Sequence, residues 1–315
     1  MEYRRLGRSG LEVSTVGLGT NNFGGRIDEA ESTTVIRQAI EEGINFIDTA
    51  NTYGGKGQSE EIIGKATKDI RSEVLIATKV SGLMRDGPNA RGNSRHHIMQ
   101  EVEASLRRLQ TDYIDLYQIH FADPGTPIEE TLRALDDLVH QGKARYIGCS
   151  NFDAWRVCEA IWTSKALNLA PFVSVQPEYS LLNRSIEDEL VPFCQNYDVG
   201  ILPYFPLASG FLTGKYRQGE AVPQGTRFAG NSGMKERTLT EKNFAMLTRL
   251  ENFAEERGHP MVELAIAWLL GDSAVSSVIA GATKPEQVVA NAKAAAWHLT
   301  PEDMQEISGL LQDES

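Results

Sequence analysis

Short apolar runs alternate with amphipathic stretches along nearly the whole chain. Eight runs have the length and composition of strands buried on both faces, several of them rich in β-branched residues: Thr15–Leu18, Asn45–Asp48, Val74–Thr78, Ile114–Ile119, Ala144–Gly148, Phe172–Gln176, Gly200–Pro203 and Val278–Ala280. Between them apolar residues recur at helical spacing. The pattern predicts helices at Glu29–Glu42, closed by Gly43; at Gln58–Thr67; and at Ser94–Leu109, with Ser94 as N-cap and Ile98, Val102, Ser105, Leu106 and Leu109 on one face. Further helices are predicted at Ile128–His140, Asp153–Lys165 (Asp153 as N-cap), Ile186–Asn196, Glu241–Arg257, Met261–Leu270 and Pro285–Ala295. Pro301–Leu311 opens with Thr300-Pro301-Glu302-Asp303, which supplies an N-cap, a proline at the first helical position and first-turn acids.

Strands alternating with helices, with no linker-like break, predict an α/β fold: a single (β/α)8 TIM barrel domain over residues 1–315. Met1–Val13 reads as an N-terminal β-hairpin turning at Gly7-Arg8-Ser9-Gly10 and able to close one end. Ala208–Thr240, after strand seven, is a long lid-like loop rich in Gly, Lys and Arg, and such loops lie on the catalytic face of a barrel. The competing architecture is a doubly wound open sheet. It would carry G-x-G-x-x-G after an early strand, but Gly17-Leu18-Gly19-Thr20-Asn21-Asn22 lacks the third glycine.

A net charge of −12 argues against nucleic acid or anionic membrane as partner, since both call for a basic surface. An anionic small molecule needs only a few local cations and N–H groups. Cys149, Cys158 and Cys194 fit no disulfide or zinc spacing and read as free thiols. His96-His97 has no metal-ligand spacing, so no metal site is expected. No apolar stretch approaches the ~20 residues of a membrane span, and cytoplasm is the default location. A homo-oligomer is compatible with the sequence.

Barrel chemistry sits at the C-terminal ends of the strands. The polar residues there are Asp48 with nearby Tyr53, Lys79, His120, Ser150 with Asn151, Gln176 and Tyr204. Each has a bland reading alone: Asp48 as a helix cap, His120 as a loop histidine, Lys79 as a rim lysine, Tyr53 as a loop aromatic. Together they make sense as catalysts. A carbonyl that receives hydride becomes an alkoxide and needs a proton. A tyrosine, with an ordinary pKa of about 10, becomes a better donor when a buried ammonium lowers that value. The ammonium in turn wants a carboxylate. Tyr53, Lys79 and Asp48 supply the three groups, and His120 can orient the carbonyl oxygen.

These residues, in their segments Asn45–Gly54, Ile76–Val80 and Asp115–His120, resemble the Asp-Tyr-Lys-His tetrad of the aldo-keto reductase family. The resemblance extends through Gly148-Cys149-Ser150-Asn151-Phe152, Gln176-Pro177-Glu178-Tyr179-Ser180 and Gly281-Ala282-Thr283-Lys284-Pro285-Glu286-Gln287, essentially the whole chain. The long strand-seven loop looks more like the bacterial and channel-β-subunit-like branches. The resemblance implies an NADP(H)-dependent oxidoreductase that reduces a small-molecule aldehyde or ketone. It implies that Ser150, Asn151 and Gln176 hold the nicotinamide carboxamide, with Tyr204 stacked on the ring and Gly19, Thr20 and Asp48 nearby. It places Pro206, Leu207, Ala208, Ser209, Gly210 and Lys215 along the pyrophosphate. Gly281, Thr283 and Lys284 would hold the 2′-phosphate, with Gln287 and Asn291 near the adenine. The helix N-terminus at Pro285 supports the phosphate reading independently. Phe205 stands where many relatives have serine, so only backbone contacts are expected from it. Wall candidates for the substrate are Phe23, Met84, Phe121, Tyr179 and Phe228. The channel-like branch also implies an alternative, a redox-sensing subunit that holds NADPH and turns over slowly.

Overall fold

The structure, a computed structural model, describes residues 1–230 and 232–312. The strands are β1 (Tyr3–Arg5), β2 (Glu12–Ser14), β3 (Val16–Gly19), β4 (Phe46–Asp48), β5 (Leu75–Val80), β6 (Ile114–Ile119), β7 (Ala144–Ser150), β8 (Phe172–Gln176), β9 (Gly200–Ile201) and β10 (Val278–Gly281). The helices are α1 (Glu29–Glu41), α2 (Tyr53–Thr67), α3 (Arg95–Leu109), α4 (Ile128–His140), α5 (Ala154–Leu167), α6 (Leu190–Tyr197), α7 (Ser232–Thr238), α8 (Glu241–Glu256), α9 (Met261–Leu270), α10 (Pro285–Ala294) and α11 (Pro301–Leu311).

Eight strands form one parallel sheet in the order β10-β3-β4-β5-β6-β7-β8-β9. The sheet curls until its two ends meet: parallel bridges join Ile201 to Val275 and Tyr204 to Ile279. This is the arrangement of a TIM-like barrel. Alternation along the strands then divides the residues. Ile47, Ile76, Tyr117 and Ile119 face out into the layer shared with the helices. Phe46, Ala77 and Leu116 face in, and so do Asp48, Lys79, Gln118 and His120 one or two pleats further on. The inner face is therefore apolar at the base and polar at the strands' C-terminal ends. β1 pairs antiparallel with β2, and Leu6, just after β1, packs with Val13 of β2 against Phe46, Ala77, Leu116, Val173, Leu202 and Ile279 at that base.

Predicted and observed elements differ at their edges. The helix predicted at Ile186–Asn196 begins only at Leu190. Pro192 explains this, because a residue without an N–H is tolerated in the first turn but not in a helix interior. Asp153 stands at the N-cap of α5 but makes no capping bond, whereas Ser94 caps α3 and Thr300 forms a full capping box on α11. The stretch after β9 is not bare loop. It holds 3₁₀ turns at Ala208–Thr213 and Arg227–Gly230, followed by α7.

Candidate functional site

A cleft of about 850 Å³ opens at the C-terminal end of the sheet. Asp48, Tyr53 and His120 line it, while Lys79 lies just beneath with no exposed surface. Lys79 Nζ donates to Asp48 Oδ2 at 2.7 Å and to the Thr49 carbonyl at 2.8 Å, and it sits 5.2 Å from the centre of the Tyr53 ring. Asp48 Oδ1 accepts from Gln176 Nε2 at 2.9 Å and Gln118 Nε2 at 3.4 Å. Burial pulls the Lys79 ammonium toward losing its proton, but Asp48 and Tyr53 more than offset this and its pKa is raised.

Two electrostatic outcomes refine the expectations. Burial pushes the Tyr53 phenol above its ordinary value, with the negative Asp48 adding to it, and the Lys79 charge recovers only part of the shift. The expectation of a lowered Tyr53 value is thus corrected, since desolvation outweighs the cation. The phenol is protonated at neutral pH. His120 is driven down to about 3, first by burial and then by the Lys79 charge. Its imidazole is neutral, stacks on Phe121 at 4.4 Å and meets Tyr53 edge-on at 5.9 Å. Among the described residues its Nδ1 is buried without a partner, which leaves Nε2 as the nitrogen open to the cleft. A buried orphan N–H is costlier than an orphan lone pair with the same neighbours, so we assign the proton to Nε2.

Every residue that the sequence marked for cofactor binding lines the cleft except Ala208. Ala208 stands in a left-handed turn with Ser209 and Gly210 (φ 44°, 59° and 91°), between lining residues on either side. Asn151 spends its two amide hydrogens on the His120 carbonyl and Ser150 Oγ, both at 3.0 Å. Its Oδ1 accepts from Tyr204 Oη at 2.8 Å and retains a lone pair. Ser150 Oγ donates to the Gln176 carbonyl at 2.8 Å. These groups can accept from a carboxamide NH₂, while Gln176 keeps one amide hydrogen to donate. Lys215 lies over Gly210, where an added Cβ would sit 2.4 Å from Nζ. Lys284 is the N-cap of α10, with Pro285 at the first helical position. Gln287 Oε1 accepts from the Thr283 N–H at 2.8 Å and hydroxyl at 3.2 Å, which fixes that loop.

Sequence reasoning missed Arg26 and Arg227, which also line the cleft. Arg227 Nη2 donates to Asn21 Oδ1 at 2.9 Å, its guanidinium lies 4.8 Å from the Phe205 ring, and Arg26 donates to the Gly225 carbonyl. Burial lowers the pKa of Lys215, with repulsion from Arg26 and Arg227 adding to it. Burial and then Arg26 lower that of Arg227. Asp48, already paired with Lys79, is the only carboxylate among the described lining residues, so the cleft is electropositive inside an acidic protein. The signal was present in the Lys/Arg content of 208–240, but not the path of that segment. Of the wall candidates only Phe121 lines the cleft. Phe23 is fully buried, Tyr179 packs on Trp268, Phe228 packs on Tyr216, and Met84 sits off the cleft in its loop.

The model of the aldo/keto reductase family matches residues 15–312. The chain belongs to the aldo/keto reductase family. It is 39% identical over 323 residues to a probable voltage-gated potassium channel subunit beta of Oryza sativa subsp. japonica, covering 99% of this chain and 97% of the relative. It is 37% identical to the aldo-keto reductase YhdN of Bacillus subtilis (strain 168), covering 99% and 94%. It is 36% identical to the L-glyceraldehyde 3-phosphate reductase of Escherichia coli (strain K12), covering 93% and 87%. As an aldo/keto reductase the chain is an oxidoreductase of carbonyl compounds, in a family that generally works with NADP(H). No helix among the described residues is long and apolar enough to cross a membrane.

Proposed function

We propose that this aldo/keto reductase is a cytoplasmic, single-domain (β/α)8 enzyme that reduces an aldehyde or ketone to the alcohol with NADPH, under a lid formed by 208–240. The observation that carries the reading is the fully buried Lys79, 2.7 Å from Asp48 and beneath Tyr53, in a cleft whose free charges are otherwise cationic. That donor set fits the cofactor. Lys215, Arg227 and the left-handed turn at Ala208–Gly210 would hold its pyrophosphate. Lys284 and the α10 N-terminus would hold the 2′-phosphate, and Ser150, Asn151 and Gln176 the carboxamide. NADPH, when bound, supplies the hydride.

The chain's own residues do the rest. His120 Nε2 donates a hydrogen bond to the carbonyl oxygen and, being neutral, holds it without competing as an acid. Tyr53 gives its phenolic proton to the oxygen as negative charge develops there. Lys79 then stabilises the phenolate left behind, and Asp48 keeps Lys79 charged through the cycle. The bonds from Arg26 to the Gly225 carbonyl and from Arg227 to Asn21 join the loop at 21–26 to the stretch at 225–227, and would tie such a lid down.

The test is NADPH consumption with a panel of aldehydes and ketones, beside Tyr53→Phe. Removing the acid should lower kcat at least ~100-fold, with little change in NADPH affinity. Wild-type turnover by Tyr53→Phe on a confirmed substrate would refute the assignment. The relatives named as channel β subunits support a second reading, a subunit that holds NADPH and turns over slowly. Tight NADPH binding with negligible turnover across the panel would favour it.

A further inference from the structure

The turn that follows Tyr53 is unusual. Gly54, Gly55, Lys56 and Gly57 are all left-handed, with φ of 65°, 74°, 78° and 112°, before α2 continues as an ordinary helix. Four consecutive residues of this hand are disfavoured for any residue with a Cβ, and Lys56 has one. Such a conformation persists only where the surroundings hold it.

Two contacts do so. At Gly54 an added Cβ would lie 2.5 Å from the Phe23 carbonyl oxygen. At Gly57 the space belongs to Arg108 of α3, since an added Cβ would lie 2.4 Å from its Cδ and 2.6 Å from its Nε. Arg108 is itself fixed. Its Nε donates to Glu60 Oε2 at 2.6 Å and its Nη2 to Ser105 Oγ at 3.2 Å. The other oxygen of the fully buried Glu60 accepts from Thr78 Oγ1 at 2.5 Å. Thr78 is the residue before Lys79. One ion pair, its Glu60 fully buried and its Arg108 partly so, thus touches the turn that carries Tyr53 and the strand that carries Lys79.

We infer that the Arg108–Glu60 pair is a positioning device for the proton donor: Arg108 seats the left-handed turn through Gly57, and Glu60 references that turn to the Lys79 strand through Thr78. The inference rests on Tyr53 being the acid. Neither Arg108 nor Glu60 lines the cleft, so neither touches substrate or cofactor. Their effect is on the distance and angle between the phenol and the ammonium, and therefore on kcat and the ionisation of Tyr53.

The experiment uses Arg108→Met and the milder Thr78→Val, which removes only the hydroxyl contact with Glu60. Both are measured beside Tyr53→Phe with a nitro-substituted benzaldehyde as probe. The expected result is a kcat about 10-fold or more lower in Arg108→Met and several-fold lower in Thr78→Val, with the dissociation constant for NADPH within twofold of wild type. The alkaline limb of the kcat–pH profile should also move in both variants. Arg108→Lys, which retains charge and stem, should recover part of the rate. A merely structural role would lower the active fraction and leave the pH profile in place, and that result would overturn the inference. If Arg108→Met does not fold, wild-type kcat and pH profile in Thr78→Val would overturn it alone. If Tyr53→Phe is fully active, the acid assignment itself has failed. A dead Tyr53→Phe beside unchanged Thr78→Val and Arg108→Met would refute the positioning role only.

Discussion

Replacing His120 should make the fold less sensitive to acid, by an amount the structure sets. A free imidazole titrates near 6.5, whereas burial and the Lys79 charge hold His120 at about 3. Between those values the unfolded chain takes up a proton that the folded protein refuses. The folded value lies below the unfolded one, so the contribution to stability is complete above about pH 6.5 and drains away as pH falls toward 3. Each unit well inside that window is worth about 1.4 kcal/mol, and between pH 7 and pH 5 the loss due to His120 comes to roughly 2 kcal/mol. Urea unfolding at both pH values, on wild type and His120→Gln, measures it. Wild type should lose roughly 2 kcal/mol more than the variant over that interval. Equal losses would show that His120 ionises freely in the folded protein. Its role as a neutral hydrogen-bond donor would then fall with the electrostatic account.

Lys79→Met strands Asp48 without its cation, so it should abolish turnover and cost about 3–5 kcal/mol of stability; thermal melts and NADPH consumption test both halves. The same variant should raise the His120 pKa, since the Lys79 charge is the second cause of its depression, and imidazole NMR titration would detect the rise. Lys284→Ala should weaken NADPH binding about 10- to 100-fold, the worth of a charge-assisted bond to the 2′-phosphate, and leave NADH nearly unaffected; equal wild-type affinity for the two cofactors would refute that placement. Lys56→Gly removes the Cβ from a left-handed residue and should stabilise the protein by up to about 1 kcal/mol, read as a higher urea midpoint.

The strands were legible because both of their faces are buried, which leaves continuous apolar runs, and the structure moves their ends by only one or two residues. Asp48, Lys79 and His120 were legible for the opposite reason: each puts a polar group at the end of such a run. Their joint placement followed from pleat alternation, which a sequence carries openly. Other features depend on contacts between distant segments. Arg26 and Arg227 line the cleft where the β3–α1 loop meets the segment 224–227, and nothing local to either residue encodes that meeting. The left-handed turn at Gly54–Gly57 and its prop on Arg108 depend on α3, a distant segment. The aromatic wall candidates failed because an aromatic residue near a rim is equally good at filling the core, as Phe23 does.

The seam between β3 and β10 carries a consequence for how the chain is made. Val16 pairs with Val278 and Leu18 with Ala280, so one edge of β3 has no partner until more than 250 further residues have been synthesised. A nascent chain must hold that apolar edge unsatisfied while the rest of the sheet is laid down beside it. Open strand edges recruit other chains. Fragments that stop short of Val278 should therefore fail first by sticking to one another during expression, well before any question of catalysis arises. Supplying the missing segment in trans should restore solubility in proportion to how well it pairs with β3.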